Sequence, residues 1–159
     1  MGNEVDGEPS VRAVMRSDVR SAQVDDAVID VASALVASGA SGAPVLDGDG
    51  ALAGVVSEYD VLGKQGATAA DVMSRGVISI GPDATAAEAA RLMGLHGIHM
   101  LPVVADARLV GVVNRADLLR VYTETLWRCG SCGEHVFGLA RPAVCLACGG
   151  GSFRRGEEG

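Results

Sequence analysis

The four cysteines of the chain are the residues whose spacing most directly implies a chemistry. They form two Cys-x-x-Cys pairs, Cys129 with Cys132 and Cys145 with Cys148, which twelve residues separate, and a glycine follows each pair. Two such turns can bring four thiolates together as a tetrahedron, the ligand set of a structural Zn(II) site with no open position. We therefore predict that these four cysteines bind zinc in a structural role.

The residues alone leave two alternatives to zinc. Iron suits tetrahedral thiolate coordination as well, although the spacing favours zinc. Disulfide bonds are disfavoured because Met1–Ser10 is polar and acidic, unlike a signal peptide, and the chain is therefore expected in the reducing cytoplasm. His135 lies near the first pair, but four cysteines already complete the shell, so this histidine is expected in a loop.

The cysteine-containing segment resembles a rubredoxin-like zinc ribbon, which we expect over residues 123–153. So short a segment cannot hold a core without its metal, and Trp127, Phe137 and Phe153 should pack around it. From Thr123 to Gly159 four arginines and four glutamates cancel, and no basic stripe is evident. The ribbon is therefore expected to contact a protein partner or its own chain rather than nucleic acid. Residues 1–9 and 154–159 are expected to be a disordered N-terminus and tail.

The region before this segment is an internal duplication, which reveals the elements that surround the site. A shift of 58 residues superposes its first part, and a shift of 57 superposes the rest after a one-residue difference near Gly48. The superposed segments are Val14-Met15 on Val72-Met73, Gly39 on Gly97, Pro44-Val45 on Pro102-Val103, Gly54-Val55-Val56 on Gly111-Val112-Val113, and Asp60 on Asp117. Two copies of one unit therefore precede the cysteines.

Each copy follows a β-α-β-β-α pattern. In the second copy Val77–Ile80 is predicted as a strand, and Thr85 as the cap of a helix that ends at Gly97. Met100–Val104 and Leu109–Val113 are predicted to pair as a hairpin, and a closing helix should start near Asn114. The first copy repeats this order, with its helix ending at Gly39 and its hairpin turning at Asp47–Gly50.

These motifs resemble a tandem pair of cystathionine-β-synthase (CBS) domains, also called a Bateman module. The resemblance rests on the Val-Met pairs, the Gly-x4-Pro-Val segments and the Gly-Val-Val-x3-Asp endings of both copies. It implies an α/β (α+β) fold in which repeats over residues 10–66 and 67–122 pack as one module. The family commonly forms flat dimers, so a homodimer is expected.

The resemblance also implies clefts between the repeats that hold an adenine nucleotide (AMP, ADP or ATP) or S-adenosylmethionine. At the strand-to-helix junctions free N–H groups and the helix dipole favour an anion, an Asp could accept ribose hydroxyls, and Arg115 could pair with phosphate. The candidate ligand-binding residues are Val19, Ser21, Pro44, Ser57, Asp60, Val77, Ile78, Ser79, Leu101, Pro102, Asn114, Arg115 and Asp117.

The two predicted half-sites are unequal. The first carries Glu58 where the second has Arg115, and a carboxylate beside a phosphate is unfavourable. The stronger site is therefore expected at Asn114, Arg115 and Asp117. An alternative is that Asp60 and Asp117 are only helix caps, since Asp is common in a first turn.

The composition of the chain and the absence of several known sequence motifs disfavour some classes of function. The formal net charge of −7 disfavours general nucleic-acid binding, and no phosphate-binding loop, nucleophile elbow or dinucleotide fingerprint is present. We expect a non-catalytic cytoplasmic sensor whose ribbon mediates contact with a partner. The alternatives are a nucleic-acid-associated ribbon protein with the repeats as scaffold, and an iron-binding electron carrier. The sequence leaves open which ligand binds, whether both clefts bind, and which partner is regulated.

Overall fold

The fold is divided between two units of the chain. A computed structural model describes residues 7–156, and these separate into a first unit (residues 7–15, 81–98 and 113–156) and a second unit (residues 16–80 and 99–112). Each unit draws on non-contiguous segments, so neither coincides with one sequence repeat.

The second unit is built on the sheet of the first repeat. Its three-stranded sheet has the order β1-β2-β3, with β1 parallel to β2 and β2 antiparallel to β3. The strands and helices are β1 (Ala22–Gln23), α2 (Val28–Ser38), β2 (Gly42–Leu46), β3 (Leu52–Ser57), α3 (Glu58–Gly63) and α4 (Ala69–Val72). β4 (Met100–Ala105) pairs with β5 (Arg108–Asn114), whose last two residues pass into the first unit.

Aliphatic side chains form the core of the second unit. Val45 and Val56 from the sheet are fully buried together with Val72 of α4, and Val31 of α2 packs against them. Burial of each valine side chain contributes about 1.5–3 kcal/mol. The scarcity of aromatic residues in the repeats is thus matched by a core of β-branched residues that suits a sheet.

The first unit contains three helices and the C-terminal sheet. Short α1 (Val11–Val14) contacts α5 (Ala86–His96) and α6 (Arg115–Glu124), which also contact each other. The C-terminal sheet has the order β7-β6-β8, formed by β6 (Leu126–Cys129), β7 (His135–Phe137) and β8 (Phe153–Arg155). A single residue, the fully buried Thr125, separates α6 from β6.

The short helices α1 and α4 each pack against the repeat to which they do not belong in sequence. The N–H of Val11 donates to Ala84 O at 2.7 Å, so α1 joins the helices of the second repeat. The N–H of Ala69 donates to Asp26 O at 2.8 Å, so α4 joins the first repeat in the equivalent way. Each short helix therefore packs against the other repeat, because sequence order does not show which partner a short segment contacts.

Local turn chemistry was predictable. Gly39 and Gly97 end α2 and α5 in the left-handed conformation, at φ 66° and 62°. Thr85 caps α5 by accepting the N–H of Glu88, and Asp106 and Ala107 turn the β4–β5 hairpin with positive φ. The predicted strand Val77–Ile80 is wrong, since only Ile80 makes a bridge, to Val103.

Both predicted disordered ends were drawn too long. Glu8 accepts the N–H of Arg141 at 2.9 Å, and the Arg155 side chain donates to Gly7 O at 3.4 Å, so residues 7–9 are placed within the first unit. Arg154 and Arg155 belong to β8, where they pair with β6. The remaining parts of these predictions, residues 1–6 and 157–159, lie outside the described residues.

Candidate metal centre and ligand-binding junctions

The four cysteines converge as their spacing predicts. Their sulfur atoms all lie within 4.8 Å of one another, with 3.7 Å between Cys129 and Cys148 and between Cys132 and Cys145. A tetrahedron with metal–sulfur bonds of about 2.3 Å has sulfur–sulfur edges of about 3.8 Å, whereas a disulfide bond is about 2.05 Å long. The arrangement therefore suits a tetrahedral metal ion, and all four cysteines are free thiols.

Glycine turns bring the two pairs into this arrangement. Gly133 and Gly149 have φ of 80° and 75°, and their N–H groups close turns onto the carbonyls of Cys129 and Cys145. The N–H of Gly150 donates to the Cys148 sulfur at 3.4 Å. A Cβ at Gly150 would lie 2.7 Å from the Ser131 hydroxyl oxygen, so this position also requires glycine.

The sulfur atoms are close enough to perturb one another's ionisation. N–H groups of Cys132 and Ser131 donate toward the Cys129 sulfur and lower its pKa to about 6. The N–H of Glu134 acts to lower the pKa of Cys132, but the neighbouring sulfurs, first that of Cys148, and burial outweigh it and raise this pKa to about 12. Four thiolates so close together require a cation between them.

The core beside the cysteines is small and only partly the one predicted. Trp127 and Phe153 pack with Cys129 and Cys145, and Trp127 Nε1 donates to Gly138 O at 2.8 Å. The third aromatic residue, Phe137, is half exposed and lies outside this core, which corrects the prediction that it packs around the metal. His135 is an exposed residue at the start of β7 rather than a loop residue.

At the first strand-to-helix junction, the carboxylate of Asp60 has partners on both oxygens. Its Oδ2 accepts the N–H and hydroxyl of Ser57, which caps α3 in return. Its Oδ1 accepts the hydroxyl of Ser74 at 3.2 Å and pairs with Lys64 Nζ at 2.6 Å. Lys64 also donates to Val72 O at 2.9 Å. The buried Asp60 therefore caps α3 and links this helix to Ser74 and Lys64.

The hydrogen-bond and ion-pair partners of Asp60 determine the direction in which its pKa is shifted. Burial acts to raise its pKa, but hydrogen bonds from Lys64 and Ser57 together with the lysine charge outweigh burial and hold the pKa below its usual value. Neither Lys64 nor Ser74 was predicted as a partner of Asp60 from the sequence. Lys64 was detectable in principle, because it is the only lysine of the chain and stands four residues after Asp60.

The second junction lies in the first unit and has a different chemistry. The N–H of Asn114 donates to Asp117 Oδ2 at 3.0 Å, and Asp117, 2% exposed, sits in the first turn of α6. Arg115 is exposed at the start of this helix, whose N-terminal dipole favours an anion. This junction therefore presents a guanidinium where the first one presents Glu58.

The remaining predicted ligand residues all lie in the second unit. Pro44, Leu101 and Pro102 are buried, and the Pro102 carbonyl accepts the N–H of Ile80 at 3.0 Å. Val19, Ser21, Val77 and Ile78 are half buried, and Ser79 is exposed. Ten of the thirteen predicted residues, including Ser57 and Asp60, therefore lie in the second unit. The other three, Asn114, Arg115 and Asp117, lie in the first unit. Among the described helices, none is long and apolar enough to cross a membrane.

Comparisons with known proteins agree on the duplicated region. The family model "CBS domain" matches residues 11–66 and 69–124. The inosine-5'-monophosphate dehydrogenase of Methanocaldococcus jannaschii is 29% identical over 82% of this chain, which spans 29% of that enzyme's length. The CBS domain-containing protein YhcV of Bacillus subtilis is 29% identical, over 69% of this chain and 82% of its own.

Two solved structures share the fold closely. CBSX2 in complex with AMP has a TM-score of 0.69 and 27% identity, and the match covers 73% of this chain and 97% of CBSX2. The CBS domain pair of MJ0100 in complex with 5-methylthioadenosine and S-adenosyl-L-methionine has a TM-score of 0.69 and 25% identity, and covers 74% and 98% of the two chains.

Proposed function

Because this chain belongs to the CBS domain family, we propose that it is a regulatory protein that binds an adenosine-containing ligand and passes its occupancy on through a zinc ribbon. The observation that carries the proposal is the likeness to two CBS pairs that hold AMP, or methylthioadenosine and S-adenosylmethionine, and that this chain covers almost completely. The ligand of this chain is one of that chemical class: AMP, ADP, ATP or S-adenosylmethionine.

The junction at Asn114 and Asp117 is the stronger ligand-binding site in this proposal. Arg115 supplies a charge-assisted hydrogen bond to a phosphate, and the N-terminal end of α6 adds its dipole. In the first repeat Glu58 repels an anion, and Lys64 already pairs with Asp60. The residue that replaces Lys64 in the second repeat is Val121, which cannot pair with a carboxylate.

Helix α6 gives this junction a mechanical route to the cysteines. Its ten residues span about 15 Å from Arg115 to Glu124, and β6 follows after Thr125 alone. The Thr125 hydroxyl donates to Val121 O at 2.7 Å, so the connection is ordered. A ligand that shifts the start of α6 would therefore move β6, whose last residue is Cys129.

We propose that the metal at the four cysteines is zinc and that it is structural. The donor set of four sulfurs and the 3.7 Å spacings fit this ion, and the four ligands leave no open position for chemistry. We further propose that the protein is non-catalytic and cytoplasmic, as is typical of regulatory CBS pairs. The dehydrogenase relative is an enzyme, but the match spans 29% of its length, and its activity is not transferred.

We also propose a homodimer that forms through the paired helices of each unit. Large apolar side chains stay exposed on these helices: Tyr59 and Leu62 on α3, and Leu119 and Tyr122 on α6. Repeated exposure of apolar residues at equivalent positions, such as Leu62 and Leu119, is typical of an interface rather than of isolated surface residues.

A thermal-shift screen of the zinc-loaded protein tests the ligand proposal. A compound at about 100 times its Kd should stabilise the protein by about 2.7 kcal/mol, and AMP, ADP, ATP, S-adenosylmethionine and a pyrimidine control should be compared. Arg115→Gln should weaken binding of a phosphate-containing ligand by about 10- to 100-fold, the worth of a charged hydrogen bond. Glu58→Gln, at the equivalent position of the first repeat, is the matched control. No shift with any adenosine compound, or equal losses in both variants, would refute the proposed site.

A further inference from the structure

One face of the C-terminal sheet carries a row of basic side chains that the linear sequence does not reveal. In the strand register Arg128 on β6 stands opposite His135 on β7 and opposite Arg154 on β8. Directly opposed residues of neighbouring strands share a face, with Cβ atoms about 5 Å apart. Strand pairing therefore gathers three residues, from positions spread over 27 residues of the sequence, into one line across the sheet.

This row is on the solvent face of the sheet. Trp127 and Cys129 alternate with Arg128 along β6 and are buried on the opposite face, whereas Arg128, His135 and Arg154 are all exposed. Within the described part of the chain, the guanidinium groups of Arg128 and Arg154 have no hydrogen-bond or ion-pair partner. The three residues of the row also line an open groove, together with Arg155, Gly130 and Gly156.

An aromatic residue completes the same face. Phe137 lies two residues beyond His135 on β7 and pairs with Leu126 on β6, so it shares the face of the basic row. Its ring is 48% exposed and contributes nothing to the metal-side core. The face therefore combines two exposed guanidinium groups with a flat apolar ring on the neighbouring strand.

We propose that this face binds single-stranded nucleic acid, with successive phosphates against Arg128 and Arg154 and a base stacked on Phe137. A basic track beside an exposed aromatic ring is the arrangement that binds single strands without sequence preference, whereas an acidic peptide has no use for the ring. The overall charge of −7 does not oppose contact at this distance, since charges beyond about 10 Å are screened at 0.1 M salt. Among the described residues from 123 to 156, the acidic ones are Glu124, which pairs with Arg120 at 3.7 Å, and Glu134, which precedes β7.

Fluorescence anisotropy of the full-length, zinc-loaded protein with a labelled oligouridylate tests the proposal. Each phosphate contact to a single strand contributes a salt slope of about −0.7, so loss of two contacts should weaken binding about 25-fold at 0.1 M salt and reduce the slope by about 1.4. The double variant Arg128→Gln, Arg154→Gln should show both effects. Phe137→Leu should weaken binding by about fivefold or more with the slope unchanged, because stacking is lost without a charge.

The controls separate this face from general charge effects. Arg20→Gln with Arg91→Gln removes two exposed arginines outside the C-terminal sheet and should change affinity less than twofold. Each variant must have the same zinc content and melting temperature as the parent. We expect this because the substituted residues are exposed. Absence of saturable binding at 0.05 M salt, equal losses in the control, or equal competition by polyglutamate of the same charge would overturn the proposal. Nucleotide binding to the repeats is measured separately and does not affect this outcome.

Discussion

Removal of the metal should unfold the C-terminal sheet and leave the repeats folded. The chain has one tryptophan, Trp127, and it is fully buried beside two of the cysteines, so its fluorescence reports on this segment alone. Without a cation, the close sulfurs of Cys129 and Cys132 repel as thiolates or retain protons. Chelation should therefore shift the Trp127 emission to that of a solvent-exposed indole, and zinc should restore it.

The size of the effect follows from the number of ligands and the small core. Four-ligand structural zinc sites bind with an apparent free energy of about 10–16 kcal/mol, and a Kd of about 1 nM lies within that range. At 1000 times this Kd, about 1 µM free zinc, the ion adds about 4.1 kcal/mol to the stability of the segment. Burial of Trp127 contributes about 5 kcal/mol, from roughly 200 Å² of surface, and is lost with the fold.

The assay is a chelator titration followed by emission and by circular dichroism. Cys132→Ser should release the ion at lower chelator concentration, whereas Ser131→Ala, an exposed neighbour in the same turn, should behave like the parent. An unchanged Trp127 emission after elemental analysis shows complete metal loss would refute the reasoning. The metal itself is identified by colour, since ferric tetrathiolate sites absorb visible light and zinc sites do not.

Three further changes probe the repeats. Lys64→Met should cost about 1–2 kcal/mol of unfolding free energy, because it removes the counter-ion of buried Asp60, while partial exposure of the lysine limits the loss. Ionised Asp60 stabilises the parent above pH about 4, and this contribution is lost as the pH falls through the lowered pKa of Asp60 in the folded state. In urea titrations, the difference in unfolding free energy between parent and variant should therefore be smaller below pH 4 than at neutral pH. Gly54→Ala should cost about 1–3 kcal/mol, since its Cβ would lie 2.6 Å from Met73 Sδ and 2.9 Å from Ser74 O, whereas Gly48→Ala meets nothing within 4 Å and should not. Leu62→Glu should dissociate the dimer in sedimentation experiments, and Leu146→Glu, an equally exposed leucine beside the cysteines, should leave it intact.

Features governed by neighbouring residues were predictable from the sequence. The cysteine spacing, the left-handed glycines at Gly39 and Gly97 and the hairpin turns each depend on a few adjacent residues, and the structure places them as expected. The family model confirms the duplication that the shifts of 58 and 57 residues revealed.

Features governed by long-range pairing were not predictable from the sequence. The α1 and α4 helices pack with the other repeat because their backbone N–H groups bond to Ala84 O and Asp26 O, and no local pattern specifies those partners. The basic row on the C-terminal sheet escaped a count of charges, since Arg128 and Arg154 meet only when β6 and β8 pair. The net charge of a segment therefore does not reveal the local positive charge that strand pairing gathers on one face of a sheet.

The two repeats differ most where the first repeat has Lys64 and the second has Val121. In the first, α3 ends at Gly63 after six residues, and Lys64 turns back to pair with Asp60. In the second, Arg120 and Thr123 stand where the first repeat has Gly63 and Gly66, so α6 continues to Glu124 and reaches the strand that carries Cys129. A helix that begins at the proposed ligand site and ends at the metal segment exists only in the second repeat, which is why we expect ligand occupancy to be transmitted from that junction alone.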